Sequence, residues 1–212
     1  MKLTLFDLDG TLIDSEAGIV NSIEYALGRL GATSPPRETL RGWIGPPLRV
    51  TFPLVLGDDP ARTEQAVEHY SERFTATGWA EHAPYAGIGE LVQGLAQRGV
   101  QLAVVTTKID LHAGKIVQSL PFGAHFTRVY AAAPGSRSSE KAAMIARALS
   151  DFDVQPHDAA MVGDRHFDIE GARVNGVRAI GVSWGFGSVE ELREAGADAI
   201  ATTPPELRTL LS

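Results

Sequence analysis

The stretch that most constrains this chain is its beginning, MKLTLFDLDGTLIDS. Leu3, Leu5 and Phe6 are apolar, and Thr4 is the only polar residue before the acids begin. A short apolar run of this kind suits a central parallel strand covered on both faces. Two carboxylates, Asp7 and Asp9, follow with only Leu8 between them. If the strand continues, residues i and i+2 share a face. Two carboxylates there repel each other unless a cation lies between them or one holds a proton. Gly10 and Thr11 then let the backbone turn away. A plain Asp-Gly hairpin turn would account for Asp9 and Gly10 but leaves Asp7 unexplained.

Beyond this stretch the chain has two rhythms. From Asp14 to His82 the pattern is helical throughout: Ile19, Val20, Ile23, Ala26, Leu27 and Leu30 recur at helical spacing, with Ser15 placed to cap and Gly31 to stop. Pro35-Pro36 opens a short helix through Leu40 and Trp43, Gly45-Pro46-Pro47 breaks it, and Leu48–Leu56 and Ala61–Thr77 complete a set of four helices. After Pro84-Tyr85-Ala86-Gly87 helices and strands alternate. Strands are predicted at 101–106, 128–132, 159–163, 178–182 and 199–200. Helices are predicted at 88–98, 111–120, 139–149, 168–175, 189–195 and 204–211. Such alternation implies a parallel sheet with right-handed crossovers. The expected fold is therefore α/β, a parallel-sheet Rossmann-like core of residues 1–13 and 83–212 with an inserted helical-bundle cap of residues 14–82.

Composition excludes several functions. A net charge of −7 argues against a general nucleic-acid surface. With no cysteine there is no disulfide, thiolate metal site or cysteine nucleophile. No apolar run reaches the length of a signal-peptide core or a membrane span, so a cytoplasmic protein without a membrane partner is expected. Lysine is confined to Lys2, Lys108, Lys115 and Lys141.

In open α/β sheets, ligands bind beyond the carboxyl ends of the strands. Four predicted strand ends carry polar groups: Asp7/Asp9, Thr106/Thr107, the region of Lys141, and Asp164 with Asp168. Oxygen donors without a His or Cys cluster suit Mg²⁺. Lys141 and the Thr106 hydroxyl add donors for an anion. A hard dication, a cationic donor and a free carboxylate describe a phosphoryl-transfer site.

Asp7-x-Asp9-Gly10-Thr11-Leu12, Thr106 after an apolar strand, Lys141, and Gly163-Asp164-x-x-x-Asp168 resemble, in order and spacing, the four motifs of the haloacid-dehalogenase-like hydrolase superfamily. Residues 163–172 and 182–187, with a helical insert between the first and second motifs, are similar to its phosphoglycolate-phosphatase-like branch. The resemblance implies a Mg²⁺-dependent phosphatase acting on a small phosphorylated metabolite. Phosphoglycolate, a nucleoside monophosphate and a sugar phosphate are all compatible. It implies Asp7 as nucleophile, forming an aspartyl-phosphate, and Asp9 as general acid and then base. Mg²⁺ would be held by the Asp7 side chain, the Asp9 backbone carbonyl and Asp164, with Asp168 helping from behind these ligands or through a bound water. Thr106 and Lys141, with Thr107 beside them, would hold the phosphoryl oxygens. Asp9 must carry a proton at the first step, which calls for negative neighbours or partial burial.

Some positions depart from the family's pattern. Thr107 stands where many relatives have Asn, and Arg137-Ser-Ser-Glu-Lys141 replaces the commoner Gly-Lys-Pro. Arg137 is expected to be a solvated loop residue, His166 an exposed loop histidine, and Lys108 a helix cap or part of the rim. Asp9 argues against a dehalogenase, which lacks that acid. The lack of lysine in residues 14–82 argues against a phosphonoacetaldehyde hydrolase. A sugar-phosphate mutase shares all four motifs but would want a His shortly after the first, where Ser15-Glu16-Ala17-Gly18 offers none. A non-enzymatic binding protein on the same fold is the alternative of another class. The insert is expected to close over the rim, selecting substrate and excluding water. Monomer and homodimer are both compatible.

Overall fold

The computed structural model describes residues 1–133 and 141–212. Its central element is β1 (Leu3–Phe6), whose four residues are all buried. The other strands are β2 (Ile13–Asp14), β3 (Ala83–Pro84), β4 (Gln101–Ile109), β5 (Arg128–Ala132), β6 (Ala159–Gly163), β7 (Arg178–Val182) and β8 (Ala199–Ala201). Six of them form one sheet in the order β5-β4-β1-β6-β7-β8, and every neighbouring pair is parallel. β2 and β3 form a separate two-stranded sheet.

The helices are α1 (Glu16–Arg29), α2 (Arg37–Arg41), α3 (Leu48–Thr51), α4 (Pro53–Leu56), α5 (Pro60–Ala76), α6 (Ile88–Gln97), α7 (Asp110–Ser119), α8 (Lys141–Phe152), α9 (His166–Val174), α10 (Val189–Glu194) and α11 (Pro204–Leu210). Among the described residues the chain divides into two compact units, one of residues 1–14, 84–133 and 141–212, the other of residues 15–83.

The sheet unit is the predicted α/β architecture. Alternation along the strands sends Leu3, Leu5, Ala103, Val105 and Met161 into one cluster with Met144, Ile145 and Ala148 of α8 and Ile169 and Ala172 of α9. Phe6, one register step away, meets Phe126 edge to face at 6.1 Å.

The helical unit is held by α1 against α5. Its seam buries Ile19, Ile23 and Leu27 on one side and Ala66 and Phe74 on the other. Arg73 ties it further, reaching Ser22 Oγ at 3.1 Å and Glu81 at 2.8 Å. Asp59 caps α5 by accepting from the N–H groups of Ala61 and Arg62, with Pro60 in the first turn, where its missing N–H costs nothing.

Several sequence expectations need correction. The helix expected over 48–56 is two, α3 and α4, because Pro53 cannot donate within a continuous helix and starts the second one. The helix expected to run through Trp43 ends at Arg41. The β2/β3 ribbon was not expected; two residues on each side are too few to show alternation. β4 continues past Thr106 to Ile109, and its pairing with β5 slips between Thr106 and Ile109. Most consequentially, β1 stops at Phe6. Asp9 lies beyond it in a tight turn where Gly10 N–H donates to the Ile13 carbonyl at 2.8 Å.

Because Leu5 is fully buried in the central strand, Leu5→Ala should destabilise the protein by about 2–5 kcal/mol. Denaturant unfolding measures this, and a loss under about 1 kcal/mol would contradict the placement of β1.

Candidate active site

The strand order positions the site. From β1 the sheet grows outward through β4 and β5 on one side, and through β6, β7 and β8 on the other. The connections leaving β1 and β6 therefore diverge, opening a crevice at their carboxyl ends. Asp7 is the first residue after β1, and Asp164 the first after β6. Lys141 opens α8 and Asp168 lies in the first turn of α9.

These four side chains converge. Lys141 Nζ donates to Asp7 Oδ1 at 2.6 Å, to Asp168 Oδ1 at 2.5 Å and to the Val105 carbonyl at 3.0 Å. Asp168 Oδ2 accepts from the Arg165 N–H at 3.1 Å, so both of its oxygens are engaged. Asp164 Oδ1 accepts from the Thr11 hydroxyl at 3.2 Å and Oδ2 from the Phe186 N–H at 2.8 Å. All four side chains are buried.

Backbone without side chains makes room for this. Gly10 has φ +83°, and a Cβ there would stand 2.2 Å from Asp164 Oδ2. A Cβ on Gly185 would stand 2.4 Å from Asp164 Cβ and 2.4 Å from the Gly10 carbonyl. The turn after β1 and the loop after β7 thus close on Asp164 from two sides.

Burial pushes the Asp7 carboxyl well above the usual carboxylate range; Lys141 opposes this, while Asp168 and Asp164 add to it. Burial likewise raises Asp164, to about 7, with Asp168 adding and the Phe186 N–H opposing. Burial alone would lower the Lys141 ammonium, but Asp168 and Asp7 more than offset it and hold it above its ordinary value. Three carboxyl groups are buried around one ammonium, an arrangement that calls for protons or a further cation among them. Oxygen atoms of Asp7, Asp164 and Asp168 lie within 4.8 Å of one another, so the three could hold a metal ion. The donors are hard oxygens and outnumber the one ammonium beside them, so a divalent cation fits.

Asp9 is placed differently from the expectation. It does not share a strand face with Asp7, and its Oδ2 pairs with Lys108 Nζ at 3.2 Å. Thr106 is buried at the rim, and its Oγ1 accepts from the Lys108 N–H at 3.1 Å; Thr107 is half-buried beside it. Arg137 lies outside the described residues. His166 is no loop residue but the first of α9, its Nδ1 2.7 Å from Glu191 Oε1.

Sequence reasoning assigns Lys108 to a helix cap or the rim, whereas the Phe186 N–H and Glu191 escaped it. The Lys108 ammonium had a signal, a scarce lysine directly after Thr106-Thr107. The Phe186 N–H had a weaker one, its place between two glycines. Glu191 had none. It gathers the Arg165 side chain, the His166 N–H and the His166 ring on one oxygen, at 2.9, 2.9 and 2.7 Å. Burial alone would raise the Glu191 carboxyl, but these donors hold it below its usual range.

Residues 4–182 match the family model described as haloacid dehalogenase-like hydrolase. The chain belongs to this family. It is an enzyme of the family's phosphatase branch, and relatives of several names align with it. A protein of Pseudomonas aeruginosa named 5′-nucleotidase is 42% identical over 189 residues, covering 89% of this chain and 86% of its own. One of Mycobacterium tuberculosis named tyrosine-protein kinase PtkA is 34% identical over 213 residues, covering 99% of this chain and 72% of its own. Among solved structures, a predicted phosphatase from Clostridium acetobutylicum superposes with a TM-score of 0.92 at 33% identity, covering 99% of this chain and 97% of that one.

The raised Asp164 carboxyl links metal to stability. A folded value near 7 against an ordinary 3.8 gives a contribution fully present below about 3.8 and lost as pH rises through about 7. A divalent cation should compensate where that proton is gone. The rise in Tm on replacing EDTA by Mg²⁺ should therefore be larger at pH 8 than at pH 5.5. Thermal melts at the two pH values test this, and an equal rise at both, or none, would count against the metal site.

Proposed function

We propose that this chain hydrolyses a small phosphomonoester with Mg²⁺ bound, passing the phosphoryl group through Asp7. The observation that carries the reading is the Lys141 ammonium set between Asp7 and Asp168, with Asp164 alongside, in the crevice between β1 and β6. Asp7 is the nucleophile. Lys141 holds its Oδ1, so the other carboxylate oxygen attacks phosphorus. The hydroxyls of Thr106 and Thr107 receive the phosphoryl oxygens, while the Lys141 ammonium, its three N–H groups engaged by Asp7, Asp168 and the Val105 carbonyl, contributes its charge beside them. Asp9 gives a proton to the leaving oxygen and then takes one from the water that attacks the phosphorylated Asp7. Asp7, Asp164 and the Asp9 backbone carbonyl would hold Mg²⁺, with Asp168 assisting through a water. When bound, the ion supplies positive charge against that developing on the phosphoryl oxygens.

Asp7→Asn should fold and lower phosphate release by about a hundredfold or more, since an amide cannot form the acyl phosphate. Phosphate release from p-nitrophenyl phosphate with Mg²⁺ measures this; activity within tenfold of the parent would sink the assignment. The 5′-nucleotidase of Pseudomonas aeruginosa places nucleoside 5′-monophosphates first in a substrate panel, ahead of phosphoglycolate and sugar phosphates. The mycobacterial kinase, similar over 99% of this chain, favours a second reading: transfer to a tyrosine hydroxyl instead of water. Stoichiometric release of inorganic phosphate from a monoester without ATP decides for hydrolysis.

We further propose that the helical insert of residues 14–82 acts as a cap that selects substrate. Its support is its position in the sequence, between the first and second motifs. Replacing residues 17–80 by a short bridge should reduce activity toward the best panel substrate far more than toward p-nitrophenyl phosphate. Equal losses in both assays would refute the selective role.

A further inference from the structure

Lys108 stands outside the machinery above, yet its side chain is only 8% exposed, and lysine is almost never buried unless paired. Its position follows from a flaw in the sheet. β4 and β5 run in register to Thr106 opposite Ala131, and the next pair is Ile109 opposite Ala132. Thr107 and Lys108 are thus extra residues on β4, and such an irregularity re-aims side chains. Here it turns the Lys108 ammonium onto Asp9 Oδ2 at 3.2 Å, while the Lys108 N–H donates to Thr106 Oγ1 at 3.1 Å. The two oxygens of Asp9 then differ. Oδ2 is clamped, whereas Oδ1 is buried and has no hydrogen-bond partner among the described residues.

We propose that Lys108 is a positioning residue for proton transfer. It fixes Asp9 through Oδ2 so that Oδ1 is the oxygen that carries the proton to and from the reacting groups. This rests on the phosphomonoesterase reading. In the first step an Asp7 oxygen bonds to phosphorus, the bond from phosphorus to the leaving oxygen breaks, and the Oδ1 proton moves to that oxygen. In the second, water bonds to phosphorus, the acyl phosphate bond to Asp7 breaks, and the water's proton returns to Asp9 Oδ1. Holding one oxygen removes a rotation that would carry the proton out of line.

The leaving group separates this role from phosphate binding. p-Nitrophenolate departs as a stable anion, whereas an alkoxide needs its proton during bond cleavage. kcat/KM, which reports the steps through that cleavage, is to be measured with p-nitrophenyl phosphate and with glycerol 2-phosphate. The variants are Lys108→Met, Lys108→Arg, Asp9→Asn and Lys108→Met/Asp9→Asn. Lys108→Met should lose on the order of 30- to 100-fold with the alkyl ester and about threefold or less with the aryl ester. Lys108→Arg should recover most of that loss. In the Asp9→Asn background Lys108→Met should cost no more than about twofold further, since the two act as one unit. Lys108→Gln is read the same way if the methionine variant does not fold. Equal losses on both esters, no loss on either, or additive effects in the double variant would overturn the proposal. Asp9→Asn losing both esters equally would overturn the acid role of Asp9 itself, a different result from a split in Asp9→Asn without one in Lys108→Met.

Discussion

One buried ammonium conditions the whole carboxyl edge of the sheet. Lys141 opens α8, where the helix N-terminus already carries partial positive charge and disfavours a cation. Burial disfavours it again. Only the Asp7 and Asp168 carboxylates, both within 2.6 Å, make the charge tenable there. The dependence runs both ways at Asp7, whose carboxyl is pushed up by burial and pulled back by Lys141. Removing one member of such a cluster typically costs about 3–5 kcal/mol, as it strands a charge rather than merely losing a contact. The arrangement therefore has the economy of a site kept for chemistry: an apolar core of the same volume would hold the fold as well.

Distance along the chain explains why the sheet is needed. Lys141 and Asp7 are 134 residues apart, and Thr11 and Asp164 are 153 apart. Local structure cannot bring such pairs together. The divergence of connections on either side of β1 and β6 can, because it leaves a crevice at the carboxyl ends where Asp7 and Asp164 stand. The positive φ of Gly10 and the bare Cα of Gly185 then let two loops approach the Asp164 carboxylate more closely than any side chain would permit. The same closeness desolvates Asp164, which is why its carboxyl is pushed up to about 7.

The sequence was readable where its pattern had a period or an obligatory partner. β5, β6 and β7 fall where their apolar runs lie, since a buried parallel strand has few other ways to be written. The members of the carboxylate cluster were equally legible, because buried acids at strand ends have few structural uses. What escaped was geometry without a period. Nothing in Leu8 or Asp9 says that β1 stops at Phe6, as the cause is a turn closed by the Ile13 carbonyl. The slip in β4 leaves no mark either, because Thr107 and Lys108 suit a regular strand as well as an irregular one. Glu191 lies on a solvated-looking helix, and only the tertiary fold brings it to Arg165 and His166.

The end of β1 decides how two neighbouring aspartates come to have different surroundings. Had the strand continued, Asp7 and Asp9 would face the same way and share one cation, and each would perturb the other. Because it stops, each meets its own lysine: Lys141 for Asp7 at 2.6 Å and Lys108 for Asp9 at 3.2 Å. Lys141 is deeply buried and fixed by three acceptors, two of them carboxylates, which suits a group that must stay cationic through every step. Lys108 reaches the Asp9 carboxylate from an irregular stretch of backbone, which on the proposed mechanism suits a group whose partner must change charge. On the proposed mechanism the nucleophile needs its charge kept, and the proton carrier needs its charge to alternate. Two residues apart in sequence, those needs are incompatible within one shared ion pair, and the turn at Gly10 is what separates them.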